Sequence, residues 1–393
     1  MSNNSSASFV ISQALIQQAI SWRQQLHANP ELGFDEHTTA KFIADTLSQF
    51  GLQVHTGIAG TGVVGVLKKG VSTRSIGIRA DIDALPMTEL NDFAHASCVS
   101  GRMHACGHDG HAAILLAAAA HLAQHGQFDG TVYFIFQPAE ENLGGGQAMI
   151  DDGLFERFEI DEVYGLHNWP GRTLGEICVN DGVMMGSFDI FDIVLTGKGG
   201  HAAMPEGTCD PIVAAAALIL HAQSIIARKV SPLDSAVLSI TQIDGGDTYN
   251  IIPETVRLKG TVRALDENVR QTVKSKLIQA VKELPALHGV AGEIDYQERY
   301  PATINNADCA RHIRQVATEL FGADKVSQNV LPTMASEDFS FMLNAKKGAY
   351  VWLGVDEADR PSKPLHNPYY DFNDNAIAIG ANLWVGLVER TLG

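Results

Sequence analysis

The sequence predicts an α/β chain of two domains: an open sheet with helices on both faces, interrupted by a smaller ferredoxin-like α+β domain. Three observations predict it. At 393 residues the chain exceeds what a single core ordinarily holds. Up to about residue 184, apolar β-rich runs alternate with helical patterns, and the alternation resumes after about residue 300. Between those stretches the order is strand, helix, strand, strand, helix, strand, which is the ferredoxin-like order. The expected division is therefore 1–184 with 300–393 as one discontinuous domain and 185–299 as the insert.

Each element has its own signal. Residues 12–28 place Ala14, Leu15, Ile20, Trp22 and Leu26 at helical spacing, and Asn29-Pro30 stops the helix because proline disfavours a helical predecessor. A second helix, about 37–50, ends at Gly51. Residues 62–67 and 75–80 read as neighbouring strands, the second running out into Asp81-Ile82-Asp83. A helix is expected over 112–121. The strand 131–136 ends in Gln137-Pro138-Ala139-Glu140-Glu141, and the strand 162–166 ends in His167-Asn168-Trp169-Pro170. In the insert, strands fall at 187–196, 235–243, 254–264 and 292–299, with helices at 210–228 and 266–284. A helix near 307–320, a strand near 349–354 and a final helix near 374–390 complete the outer domain, with His366 in a turn before the last helix. Polar residues thus follow the carboxyl ends of several strands, where open α/β sheets form ligand sites.

Composition narrows the class. A hydrophobic share of 45% with 19% charged residues belongs to a globular protein. The net charge of −17 argues against a nucleic-acid partner, which needs a basic face. Five scattered cysteines do not suggest a disulfide framework, and a reducing compartment is the simpler expectation. MSNNSSASFV lacks the basic and apolar regions of a signal peptide, and the Ala-rich runs at 112–120 and 213–220 are too short to span a membrane. The expectation is a cytoplasmic protein without a membrane partner.

The chemistry concentrates in Met103-His-Ala-Cys106-Gly-His108-Asp-Gly-His111, where three histidines, a cysteine and an aspartate fall within nine residues. Thiolate and imidazole are the ligands zinc prefers, and manganese, cobalt and nickel share them. With Glu141, His167 and His366 the chain offers Cys106 and His108 as part of a five-ligand set, enough for one or two metals with positions left open. Glu140 beside Glu141 adds what a hydrolase needs: one carboxylate can ligate while its neighbour takes a proton from the attacking water. A closed structural zinc site needs no spare carboxylate.

Five motifs in order carry a resemblance: Arg79-Ala-Asp-Ile-Asp-Ala-Leu-Pro86, His104-Ala-Cys-Gly-His-Asp-Gly-His111, Gln137-Pro-Ala-Glu-Glu141, Gly165-Leu-His-Asn168 and Ser336-Glu-Asp-Phe339. The sequence resembles the M20 metallopeptidase/amidohydrolase family over nearly its whole length, in the branch of aminoacylases, hippurate hydrolases and auxin-conjugate (IAA-amino acid) hydrolases. The resemblance implies a zinc-exopeptidase-like mixed-sheet catalytic domain and an inserted lid and dimerisation domain. It implies Cys106, His108, Glu141, His167 and His366 as metal ligands, and Glu140 as general base. It further implies two divalent cations per chain, drawn from Mn²⁺, Zn²⁺, Co²⁺ or Ni²⁺. In the lid it implies that His201, in Gly197-Lys-Gly-Gly-His-Ala-Ala-Met-Pro205, steadies the oxyanion, in some relatives from a partner subunit. Asn250 and Arg263 match substrate-holding positions, the arginine taking a carboxylate.

Where other branches carry a His-x-Asp motif, this chain has Asp81-Ile-Asp83, so both aspartates are expected behind the ligands. His104 and His111 are expected to be structural. The implied activity is hydrolysis of the amide bond of N-acyl amino acids, by a homodimer or higher homo-oligomer. The alternatives are a dipeptidase or carboxypeptidase using the same machinery, or a non-catalytic metal- or ligand-binding protein. A metal-free Cys106 is expected to be a reactive, oxidation-sensitive thiolate.

Overall fold

The computed structural model describes residues 10–359 and 361–393. The chain forms two compact units. Unit one takes the chain up to Gly182, Ile304–Leu331 and Asp338–Gly393; unit two takes Val183–Thr303 and Pro332–Glu337. The 332–337 segment joins unit two by backbone bonding: the Gly186 N–H donates to the carbonyls of Thr333 and Ala335, both at 2.9 Å, and Thr333 donates to Met184.

Unit one is built on an eight-stranded mixed sheet. Its order is Gln53–Ile58, Gly62–Lys69, Gly130–Gln137, Ser75–Asp81, Glu162–Thr173, Lys347–Asp356, Ile177–Cys178, Val326–Ser327. The four central strands, from Gly130–Gln137 to Lys347–Asp356, run parallel. Gly62–Lys69 and Ser75–Asp81 are therefore not neighbours, because Gly130–Gln137 lies between them. Ser75–Asp81 is buried at every position, as expected of a strand covered on both faces.

The helix after the metal-type cluster starts earlier than the apolar run suggests, at His108, and continues to His125. It is buried all round from His108 to Leu122, so its alanines carry no amphipathic stripe. Gln13–Ala28 and Asn375–Leu392 pack against it, and small side chains let them approach closely. The strand expected to end at Leu166 runs through His167 to Thr173, because Lys347–Asp356 pairs with it along that length.

Unit two has a four-stranded antiparallel sheet in the order Ala236–Asp244, Thr255–Ala264, Phe188–Thr196, Ala291–Tyr300, with the helices Pro211–Lys229 and Glu267–Glu283 packed on it. This is the ferredoxin-like arrangement. Asp210 and Asp266 cap the two helices through their side chains, and Asp210 precedes a proline at the first helical position. Pro211–Lys229 is long and apolar enough by composition to cross a membrane. Its inner face, Ala214, Ala215, Leu218, Ala222 and Ile225, belongs to the unit's own core, while Ile212, Val213 and Leu220 are exposed.

Candidate metal centre

The parallel strands of unit one direct their carboxyl ends to one edge, and the candidate ligands gather there. Asp81 closes its strand, and Glu140 and Glu141 open the short helix Glu140–Leu143 just past theirs. His167 lies inside Glu162–Thr173, in register with Trp352. Cys106 and His108 flank Gly107, the left-handed N-cap of the buried helix, at φ 93°. A Cβ on Gly107 would stand 2.3 Å from Asn168 Oδ1, so glycine fits both the conformation and the space.

Two non-glycine residues here adopt positive φ, Ala139 at 56° and His366 at 60°. Each such residue costs about 1–3 kcal/mol and persists only where its surroundings hold it. Glu36 accepts the Ala139 N–H at 2.9 Å and, through its other oxygen, the Thr61 hydroxyl at 2.6 Å. The His366 N–H donates to the Ala105 carbonyl at 2.8 Å.

The ligand atoms converge. Those of Cys106, His108 and Glu141 lie within 4.8 Å of one another. Cys106 Sγ is 3.4 Å from His167 Nε2, and Glu141 Oε1 is 3.2 Å from His366 Nε2. The imidazoles are oriented from behind. His108 Nδ1 faces the Asp83 carbonyl at 2.9 Å and its carboxylate at 3.1 Å, and His167 Nδ1 faces the Asn168 carbonyl at 2.7 Å. Donation from each Nδ1 leaves the Nε2 lone pairs for the site. The other oxygen of Asp83 accepts the Glu141 N–H at 2.9 Å, so one carboxylate aligns two ligand segments.

Among the described residues, two buried atoms of the candidate ligands, His108 Nε2 and Glu141 Oε1, have no hydrogen-bond partner. Leaving such groups unpaired is costly unless a further group satisfies them. Groups that meet at such distances without a hydrogen bond are what ligands around a shared cation look like. The electrostatics agree. Burial would depress His108, yet Asp81, Asp83 and Glu141 outweigh it and hold the imidazole up at about 10, so without a cation it carries a second proton, on Nε2, that a bound metal would displace. His167 stays well below its ordinary value, through burial and then its neighbour His111, and is a neutral candidate ligand. Soft and hard donors in a buried, anionic setting fit a divalent transition metal.

The same field corrects the expectation of a reactive Cys106 thiolate in the absence of metal. Burial, then Glu141, Glu140 and Asp81, push the thiol well above its usual value. Without a cation Cys106 is held as a thiol.

Glu140 is buried beside the ligands, and its Oε1 accepts the Asp338 N–H at 3.4 Å. Asp338 in turn receives Arg79, Gln137 Nε2 and the Gly146 N–H at 2.7–3.0 Å, which makes it a structural hub. Asp81 takes Arg79 at 2.8 Å and His111 Nδ1 at 2.6 Å. Asp81, His108, His111 and His167 form a second group of closely spaced donors, but both ring nitrogens of His111 are already engaged, by Asp81 and by Asn168. A further network was not anticipated from sequence: Arg23 and His27 converge on Asp109 at 2.9 and 2.8 Å, and His27 also meets Glu89. Its one visible signal was Asp109 inside the cluster.

In unit two, His201 and Asn250 stand together. The ribbon strands Gly200–His201 and Ile251–Ile252 pair, and the Ala202 N–H donates to the Asn250 carbonyl at 3.0 Å. Both side chains are exposed. Arg263 is elsewhere. It lies near the far end of Thr255–Ala264, eight residues from Thr255, or roughly 26 Å along the strand. Its guanidinium stacks on Phe188 at 4.1 Å and donates to Ser336 Oγ at 2.9 Å. The Gly197 N–H bonds to the Glu254 carbonyl, which fixes the His201 ribbon at the opposite end of that sheet.

The model of peptidase family M20/M25/M40 matches residues 77–390. The chain belongs to this family. Among curated M20 relatives, the hippurate hydrolase of Campylobacter jejuni is 44% identical over 370 residues, covering 94% of this chain and 95% of that protein. An IAA-amino acid hydrolase of Arabidopsis thaliana, ILR1-like 4, is 34% identical, covering 94% and 84%. Among solved structures, a dinuclear metal-binding M20 peptidase from Bacillus subtilis superposes with a TM-score of 0.85 at 30% identity, covering 97% of this chain and 99% of that one.

Proposed function

We propose that this M20 protein hydrolyses the amide bond of N-acyl amino acids, giving a carboxylate and a free amino acid. The observation that carries the reading is the convergence of the buried Cys106, His108 and His167 with Glu141 and the more exposed His366, and with Glu140 beside them. It occurs in a chain 44% identical to a hippurate hydrolase along almost the whole of both. The five residues would hold divalent metal, two ions per chain, from among Mn²⁺, Zn²⁺, Co²⁺ and Ni²⁺. When bound, the metal supplies Lewis-acid polarisation of the acyl carbonyl and lowers the pKa of the attacking water.

The chain's own groups do the rest. Glu140 takes the proton from the attacking water and returns it to the amine nitrogen as the C–N bond breaks. His201 donates to the oxygen that gains charge, an interaction whose loss can cost about 10²–10³ in rate. Arg263 takes the amino acid's carboxylate as a planar, bidentate donor, and Asn250 adds a hydrogen bond.

His201 with Asn250 and Arg263 occupy opposite ends of one sheet, farther apart than an N-acyl amino acid extends. This supports a homodimer or higher homo-oligomer in which a partner subunit supplies the first pair. The exposed apolar residues Ile212, Val213 and Leu220 on the lid helix support the same reading. Five free cysteines support a reducing, cytoplasmic setting.

The test is a panel assay with metal-stripped protein reloaded with each metal. Hippurate, N-acetylmethionine, an indoleacetyl amino acid and two dipeptides would be the substrates. Cleavage of acyl amino acids and not dipeptides is expected; preference for dipeptides would make the protein a peptidase with the same site. Glu140→Gln should keep its metal while kcat falls about 10²–10⁴-fold. Unchanged turnover would remove Glu140 from the mechanism.

A further inference from the structure

A row of four buried side chains runs directly behind the ligands and has no part in the mechanism above. Asp81 Oδ1 is 2.6 Å from His111 Nδ1; His111 Nε2 is 2.6 Å from Asn168 Oδ1; Asn168 Nδ2 donates to the Tyr370 hydroxyl at 2.6 Å. All four residues are at most 2% exposed. Arg79 anchors the row through Asp81 at 2.8 Å and is itself fixed by Gln137 and Asp338 at 2.8 and 3.0 Å.

What distinguishes this row from ordinary burial of polar groups is where its members sit. His111 is one helical turn after His108, and its ring stands 5.6 Å from that of His108 and 4.6 Å from that of His167. Asn168 directly follows His167 in the strand, and its backbone nitrogen also lies 3.1 Å from His111 Nε2. Tyr370 belongs to the turn that presents His366, where its N–H bonds the Asn367 carbonyl at 2.9 Å. Gly107, between Cys106 and His108, abuts both the Asn168 amide and the Tyr370 hydroxyl so closely that a Cβ there would meet them at 2.3 and 2.9 Å. The row therefore touches every ligand segment except that of Glu141, which Asp83 aligns separately.

His366 is the candidate ligand most in need of such support. Its side chain is 53% exposed and its backbone sits at φ 60°. Its turn is tied inward by the His366 N–H to Ala105, and at its other end by Tyr370.

We propose that the row Asp81–His111–Asn168–Tyr370 sets the spacing of the metal-ligand segments, with the Tyr370 hydroxyl as the positioning group for His366. The proposal rests on the ligand set given above. Groups that orient ligands in this way typically govern metal affinity by about 10–100-fold. Fold stability, by contrast, rests on the apolar core around the row, to which the Tyr370 ring contributes without its hydroxyl.

The experiment compares two single-atom deletions. Tyr370→Phe removes the hydroxyl of the row. Tyr164→Phe removes an equally buried hydroxyl from the same strand as His167, one bonded to Glu162 at 2.7 Å and outside the row. Metal-stripped proteins are titrated with Co²⁺, followed by affinity and by the visible absorption of the bound cobalt, and the melting of each metal-free protein is recorded. Tyr370→Phe should weaken Co²⁺ binding about 10–100-fold and shift the cobalt spectrum, while Tyr164→Phe leaves both at wild-type values. Wild-type affinity and spectrum in a folded Tyr370→Phe protein would overturn the proposal, as would an equal loss in Tyr164→Phe. If Tyr370→Phe does not fold, His111→Gln interrupts the row from its middle and is judged by the same two readouts. Failure of the wild-type protein to bind Co²⁺ would instead overturn the ligand set, and this role with it.

Discussion

In unit one the candidate ligand imidazoles His108 and His167 are buried and held from behind, His108 by Asp83 and His167 by the Asn168 carbonyl. In unit two His201 and Asn250 ride on a ribbon of two-residue strands with both side chains exposed, and His201 Nδ1 accepts the nearby Ala203 N–H. The difference is one of timing. The metal centre is organised by the chain's own hydrogen bonds before any substrate arrives. His201, the oxyanion donor of the proposed mechanism, is left adaptable by its exposure. Binding of metal and progress through the reaction should then respond to separate sets of substitutions.

The substitution that should break the rigid side most severely is Gly107→Ala. It forces a Cβ into φ 93° and to within 2.3 Å of Asn168. A loss of about 3–5 kcal/mol is expected, with metal binding lost alongside, as measured by denaturant unfolding and cobalt titration. Wild-type stability would mean that the turn yields easily and that the centre is less rigid than described.

On the adaptable side, His201→Ala should lower kcat about 10²–10³-fold while cobalt affinity stays at the wild-type value. A parallel fall in affinity would erase the proposed separation between the two units.

The smallest effect sharpens the comparison through pH. Burial opposes charge on His27, but Asp109 and Glu89 outweigh it and raise the imidazole to about 9. A group raised in the folded state stabilises fully below its unfolded value of about 6.5, and the contribution is lost as pH climbs through about 9. Unfolding titrations at pH 6.5, 8 and 9.5 should show a decline of up to about 3 kcal/mol, and His27→Gln should flatten it. An unchanged slope in that variant would assign the decline to other groups.

The candidate ligands could be nominated from sequence because such side chains follow strands and the chemistry limits which residue types can serve, and the structure brings these residues close together. Cys106, His108, Glu140 and Glu141 needed nothing beyond local spacing, and the family resemblance supported His167 and His366. The insert was equally plain, since its two central strands alternate and each helix opens on an aspartate cap. What could not be read was partnership at a distance. Nothing in sequence joins Tyr370 to Asn168, or Arg23 to Asp109, because those pairs exist only after the helices dock. Strand neighbours failed for the same reason: 62–69 and 75–81 are adjacent in the chain, yet a strand some fifty residues later separates them. The split of Arg263 from His201 follows from sheet length, which local pattern does not measure.

The strand Lys347–Asp356 enters the sheet of unit one between Glu162–Thr173 and Ile177–Cys178, both made long before it. During synthesis the earlier part of the sheet must therefore wait with an unfilled slot until about the last eighth of the chain emerges. Pairings this remote in sequence fold slowly and expose strand edges meanwhile. Because His366 follows that strand, the full ligand set can close only once the slot is filled. Metal uptake in a cell would accordingly mark the completion of folding, and a chain halted before residue 347 would present an open edge to quality control instead of a partly active enzyme.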